Sequence, residues 1–166
     1  MLIRDESPSD IQAIDTITRA AFAHHPYSRQ TEQFIVKALR AAGALAVSLV
    51  AEEAGEVVGH IAFSRVSVPE GGEGWYGLGP VSVAPACQRR GIGSALVREG
   101  LARLNARQAA GCILVGDPGF YRRFGFSALP GLVHAGVPDE NVLALRFGVA
   151  RPRGAVTFHP AFWATA

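Results

Sequence analysis

One junction limits what this chain can fold into: the stretch from Gly77 to Asn105, GLGPVSVAPACQRRGIGSALVREGLARLN. An apolar strand end, Val81-Ser82-Val83, runs through Pro85, Gln88 and the basic pair Arg89-Arg90 into Gly91-Ile92-Gly93. Ser94 then opens a run of good helix formers. Strand, glycine turn and helix in that order predict an α/β fold. Glycine at the turn lets a ligand approach the backbone with no Cβ in the way. The first helical turn leaves its N–H groups unpaired and presents the positive end of the helix dipole. Such a junction holds phosphate or pyrophosphate, and the two arginines add charge beside it.

Spacing separates the known cradles. A dinucleotide fingerprint needs G-x-G-x-x-G and an acid about 20 residues on, and only Gly91 and Gly93 fit it. A P-loop needs Gly-Lys-Ser/Thr after its second glycine, and no Lys follows either glycine here. What stands in the chain is Gln88-Arg89-Arg90-Gly91-Ile92-Gly93, a Q/R-x-x-G-x-G/A pattern behind a V-x-V-x-P strand end. This closely resembles the acetyl-CoA signature of the GNAT superfamily of N-acetyltransferases, of the small bacterial type. The segment Tyr121 to Phe126, Y-x-x-x-G-F, is similar to the element that follows the second cofactor strand in that family.

The rest of the chain agrees in order. Leu2-Ile3-Arg4 reads as a strand, and Ser7-Pro8-Ser9-Asp10 as a helix start with Ser7 at the N-cap and Asp10 closing a capping box. Ile11, Ile14, Ile17 and Ala21 then mark one buried helix face. His24-His25-Pro26-Tyr27 breaks that helix, and a second is expected from about Arg29 to Ala42 with Phe34, Ile35, Ala38 and Leu39 inward. Leu45–Glu53 and Glu56–Val68 form a hairpin around Ala54-Gly55. A loop at Pro69–Gly74 leads to the strand Trp75–Ala84. After the helix from Gly93, the apolar run Cys112–Val115 predicts a parallel partner for that strand, with a crevice at the carboxyl ends of the pair. Val142–Phe147 and Ala155–His159 are further strands. The resemblance implies a mixed sheet of about six to seven strands with a splayed parallel pair, flanked by about four helices.

Length and composition bound the classes that remain. At 166 residues, 49% hydrophobic and 18% charged, the chain reads as a single domain over 1–166, with its core at about 1–148 and a C-terminal strand extension at about 149–166. A net charge of +2 argues for neither nucleic acid nor an anionic membrane as partner, and no apolar run reaches a membrane span. The start MLIRDESPSD has acids where a signal peptide carries its apolar core. Cys87 and Cys112 lack disulfide-scaffold or zinc spacing, and no ligand cluster suggests a metal. The expected compartment is the cytoplasm. Apolar C-terminal strands offer an edge for homodimer pairing.

The resemblance further implies acetyl-CoA as co-substrate and a primary amine of a small molecule or peptide as acceptor. It implies main-chain binding at Val81, Ser82 and Val83, with the Val83 N–H polarising the thioester carbonyl. The pyrophosphate then takes the amides from Gln88 through Arg89, Arg90, Gly91, Ile92 and Gly93 to Ser94. Tyr121 is the candidate general acid, since a phenol of pKa near 10 is protonated at neutral pH. The candidate base stays open among Glu73, His60, the pair His24-His25 and ordered water. Asp117, where the family often has Asn, is expected to cap a short helix, and Arg122 and Arg123 to be solvated. The competing class is a non-catalytic acyl-CoA-binding sensor. Acceptor choice is expected to lie with the loops Ala23–Arg29 and Pro69–Gly74.

Overall fold

The computed structural model describes residues 1–166. In chain order the elements are β1 (Leu2–Asp5), α1 (Ile11–Phe22), α2 (Glu32–Ala41), β2 (Val47–Glu53), β3 (Glu56–Arg65) and β4 (Trp75–Val83). There follow α3 (Ile92–Ala106), β5 (Gly111–Val115), α4 (Pro118–Tyr121), β6 (Ser127–Ala128), β7 (Leu132–Val133), β8 (Val142–Arg146) and β9 (Gly154–Ala155). Seven strands make one sheet in the order β1-β2-β3-β4-β5-β8-β6, while β7 and β9 pair separately. Only β4 and β5 run parallel within the large sheet. That is the mixed sheet with one parallel pair that the resemblance implied.

Local chemistry explains most boundaries. Ser7 and Asp10 close a capping box, the Asp10 carboxylate accepting from the Ser7 N–H at 2.7 Å and from its hydroxyl at 3.0 Å. The two-residue turn of the first hairpin has Ala54 and Gly55 both left-handed, at φ 52° and 81°, the geometry that matches the twist of paired strands. Helix α2 begins three residues later than expected. Gln30 is left-handed, at φ 61°, and its N–H donates to Ser28 Oγ at 2.8 Å, so a side-chain turn occupies what would have been the first helical turn. Within α2 Ile35 and Leu39 are buried as expected and Val36 joins them, while Phe34 is half-buried under the Arg19 guanidinium. The tail differs too. Only Gly154–Ala155 pairs as a strand, and Thr157 adds one isolated bridge to Ser67. The His159 ring accepts from the Ala161 N–H at 3.0 Å and starts a turn at Pro160 instead.

Each sheet face buries a separate core. Helix α3 covers one face, its Leu96, Val97 and Leu104 packing on Leu49, Ile61, Phe63, Cys112 and Leu114. On the other face α1 and α2 bring Ile14 and Val36 onto Val50, and Trp75, Ile113, Val142 and Val156 form a further cluster.

Beside this second core a polar group is held: Glu6 pairs with Arg40 at 2.9 Å and accepts from the Ser48 hydroxyl. Burial alone would raise the Glu6 pKa, but His60 at 3.7 Å, Arg40 and Ser48 pull it from the usual 4.5 to about 2. A depressed carboxylate stabilises above its unfolded pKa and ceases to as pH falls through the folded one. Stability on the order of 2 kcal/mol is therefore lost between about pH 4.5 and 2. Glu6→Gln is expected to flatten that part of the acid-denaturation curve, measured by circular dichroism.

Candidate active site

Strands β4 and β5 stay together for three residue pairs, Trp75–Gly111, Tyr76–Cys112 and Gly77–Ile113, and then part. The cause lies in β4. Its pairing with β3 jumps from Leu78–Phe63 to Val81–Ile61, so Gly79 and Pro80 form a bulge that bends the strand. Pro80 also has no N–H to offer a neighbour. Beyond the bulge, strand parity decides which amides are free. The Ala84 N–H donates to Val58 O at 2.8 Å, so the amides of alternate residues, Ser82 included, face β3. Those of Val81 and Val83 face the open wedge. The Val83 carbonyl there accepts from Gln88 Nε2 at 3.1 Å. Ser82, grouped with them from sequence, turns its backbone to His60 in the pairing register and its side chain into the α1 face, 2% exposed.

At the head of α3, Arg89 and Gly91 are both left-handed, at φ 64° and 84°. Their alternation turns successive N–H groups into one concavity. No amide from Arg89 to Ser94 donates to a backbone carbonyl; the first helical bond is Ala95 N–H to Gly91 O at 3.0 Å. All of the residues from Arg89 to Ser94 but Arg90 line a cavity of about 450 Å³, together with Val83, Cys87, Gln88, Phe120 and Arg123. The Arg90 side chain points elsewhere, paired with Glu53 at 2.9 Å. Arg123 was expected in solvent with Arg122. It is exposed like Arg122, and it also borders the cavity: its Nε donates to Phe120 O at 2.8 Å and its guanidinium lies 4.5 Å over the Phe120 ring. Sequence reasoning missed Phe120 and Cys87; their closeness to Tyr121 and Gln88 was the available signal.

Tyr121 sits at the end of α4, which Asp117 caps by accepting from Gly119 N–H at 2.9 Å. Its ring packs on Phe120, Phe124 and Phe126 and over Gly116, whose absent Cβ would lie 2.7 Å from Cε2. Burial, with the buried Cys112 thiol nearby, pushes the phenol up to about 12. It stays protonated across the working range.

The candidate bases separate. Glu73 and the loop Pro69–Gly74 stand before β4, while the wedge opens at its far end, roughly 25 Å along the strand. That loop packs on the C-terminal segment, Glu70 pairing with Arg153, so neither is part of the crevice. His24 and His25 are exposed in the loop after α1. His60 is fully buried beside Ser82. The carboxyl end of β5 and the start of β8 instead bring Asp117, Asp139 and Glu140 to the end of the sheet at which the wedge opens, all exposed. No group of three or more His, Cys, Asp or Glu is arranged to hold a metal, and no helix is long and apolar enough to cross a membrane.

The chain is similar to known proteins over most of its length. The Acetyltransferase (GNAT) domain family matches residues 3–129. The uncharacterized N-acetyltransferase YhbS of Escherichia coli K12 is 39% identical over 127 residues, covering 76% of this chain and 73% of its own. Among solved structures, a GNAT family acetyltransferase from Brucella melitensis in complex with acetyl-CoA superposes with a TM-score of 0.86. It is 53% identical and covered to 97% on both sides. E. coli YhbS in complex with CoA superposes at 0.84, with 32% identity over 97% of this chain and 91% of that one.

Proposed function

The chain belongs to the GNAT family of N-acetyltransferases, and from that membership we propose that it transfers the acetyl group of acetyl-CoA to a primary amine by direct attack. The observation that carries this is the wedge with free amides on two sides: Val81 and Val83 along β4, and Arg89 to Ser94 at the head of α3. A diphosphate fits the second set, held by charge-assisted N–H bonds and the helix dipole. Arg89 and Arg123 add charge at the mouth. The pantetheine arm then lies against β4 as an added strand, which requires Gln88 to release the Val83 carbonyl.

In this reading the Val83 N–H donates to the thioester oxygen and strengthens that bond as the oxyanion develops. The amine attacks the carbonyl carbon, the C–S bond breaks, and Tyr121 donates its proton towards the departing sulfur. Asp117, Asp139 and Glu140 at the crevice end favour a cationic acceptor, one that arrives as an ammonium and must lose a proton before it attacks. The test is a panel of polyamines, aminoglycosides and lysine peptides incubated with acetyl-CoA while free thiol is followed. Release of thiol with one of these amines, matched by acetylated product, is expected. Tight coenzyme A binding without turnover of any amine would instead make the chain a sensor of the cofactor.

A further inference from the structure

Beyond its bulge β4 has a neighbour on one side only. That neighbour is β3, with Ser82 opposite His60 and the Ala84 N–H on Val58 O at 2.8 Å. On the other side β5 has parted, and the carbonyl of Val83, the last residue of the strand, is open. An open strand edge is a template for any amide that reaches it. Here the chain itself reaches it: Gln88 Nε2 donates to Val83 O at 3.1 Å.

The residues between them make that contact possible. Pro85 starts a single 3-10 turn, closed by the Cys87 N–H on Ala84 O at 2.8 Å and followed by the Gln88 N–H on Pro85 O at 3.4 Å. The turn folds the chain back, so Gln88 lies beside the strand end it has just left. Gln88 and Val83 both line the cavity at the head of α3. The Gln88 backbone is extended, at φ −68° and ψ 159°, a conformation open to any residue. Nothing in the turn asks for glutamine. What this side chain adds is a carboxamide donor, and that is the group a pantetheine arm brings. An arm added to β4 offers an amide N–H to a strand carbonyl, and Gln88 offers the same chemistry to the same atom.

We propose that Gln88 is a latch that selects the arm: it closes the free edge of β4 while no pantetheine lies there, and only an arm with its own amide N–H replaces the bond that opening breaks. The proposal rests on the placement of the cofactor in the reading above. A diphosphate without an arm binds at the head of α3 with the latch closed. An arm without an amide opens the latch at the loss of one hydrogen bond. Coenzyme A opens it with one bond exchanged for another, and on the way out the closing carboxamide competes for Val83 O and speeds release of the arm.

Gln88→Ala and Gln88→Met remove the donor and keep the backbone amide, and the second keeps most of the side chain's length. Titration calorimetry and stopped-flow release compare coenzyme A with ADP that carries the same ribose phosphate but no pantetheine. Without the latch the arm gains a bond to a carbonyl that only water had solvated. Coenzyme A is expected to bind both variants about two- to tenfold more tightly than the wild type, the equivalent of one neutral hydrogen bond, and to leave them more slowly by a similar factor. Affinity for the armless diphosphate is expected to stay within about twofold of wild type. Unchanged coenzyme A affinity in both variants means that Val83 O accepts from two donors at once, one on each lone pair, and overturns the latch. Weaker binding of both ligands assigns the side chain to the phosphates and overturns it as well. A gain in the alanine variant alone assigns the effect to bulk, with the same consequence. The comparison reads binding only, so its result is independent of the amine panel, whose failure would overturn acetyl transfer alone.

Discussion

Gly93→Val is expected to abolish coenzyme A binding and to leave the protein folded. The backbone at Gly93 is ordinary helix, and a Cβ there would meet only Val83 Cγ2, at 3.7 Å. Nothing in the fold resists the new side chain. It stands, however, over the amides that open α3, where a diphosphate must sit within hydrogen-bond distance. Each N–H bond to a charged oxygen contributes about 1.5–3 kcal/mol, so losing two or three removes roughly 10³-fold or more in affinity. Titration calorimetry is expected to show no heat up to millimolar coenzyme A, with a melting temperature within a few degrees of wild type. Gly91→Val reaches the same end less cleanly. Gly91 is left-handed at φ 84°, and a β-branched residue there adds strain of about 1–2 kcal/mol. Micromolar binding by the Gly93 variant would show that the diphosphate lies elsewhere.

Tyr121→Phe is expected to lower kcat about 10²- to 10³-fold while coenzyme A affinity stays within a factor of three or so of wild type, since one hydroxyl remote from the phosphates changes. The phenylalanine keeps the ring contacts to Phe120, Phe124 and Phe126, so the variant separates chemistry from packing. Because burial holds the phenol near 12, the wild-type rate should not decline from loss of this proton anywhere below about pH 11. Gly116→Ala tests the placement of the same group. Its Cβ would lie 2.7 Å from the ring edge, which displaces the hydroxyl without deleting it, and turnover should fall with binding retained. An unchanged kcat in Tyr121→Phe means the thiolate departs unassisted or is protonated by water.

Much of the site could be read from residue order, because its binding groups are backbone amides and their availability follows from local rules. Gly91, Gly93 and the helix behind them announce free N–H groups wherever the element lies in space. The wedge itself was implied only by the family resemblance; its local cause, the bulge at Gly79-Pro80, came from the structure. The candidate site features that were misplaced depend on which end of the sheet a loop occupies. Glu73 and Pro69–Gly74 are two residues or fewer from β4 in sequence, yet they sit at the end that does not open. Arg123 was expected in solvent, and its place on the cavity wall as well became visible only with α4 docked beside α3.

The primary structure alone determined the strand-turn-helix cradle, the parallel pair and the capping of the elements around them, since each is set by interactions within a few residues. Only the tertiary structure decided what the histidines and carboxylates do. Whether His60 comes within 3.7 Å of Glu6, or Asp117 and Glu140 reach the same end of the sheet, depends on pairings between segments far apart in the chain. Such pairings are fixed by strand register and by which sheet face a helix covers, and neither leaves a mark in the local sequence.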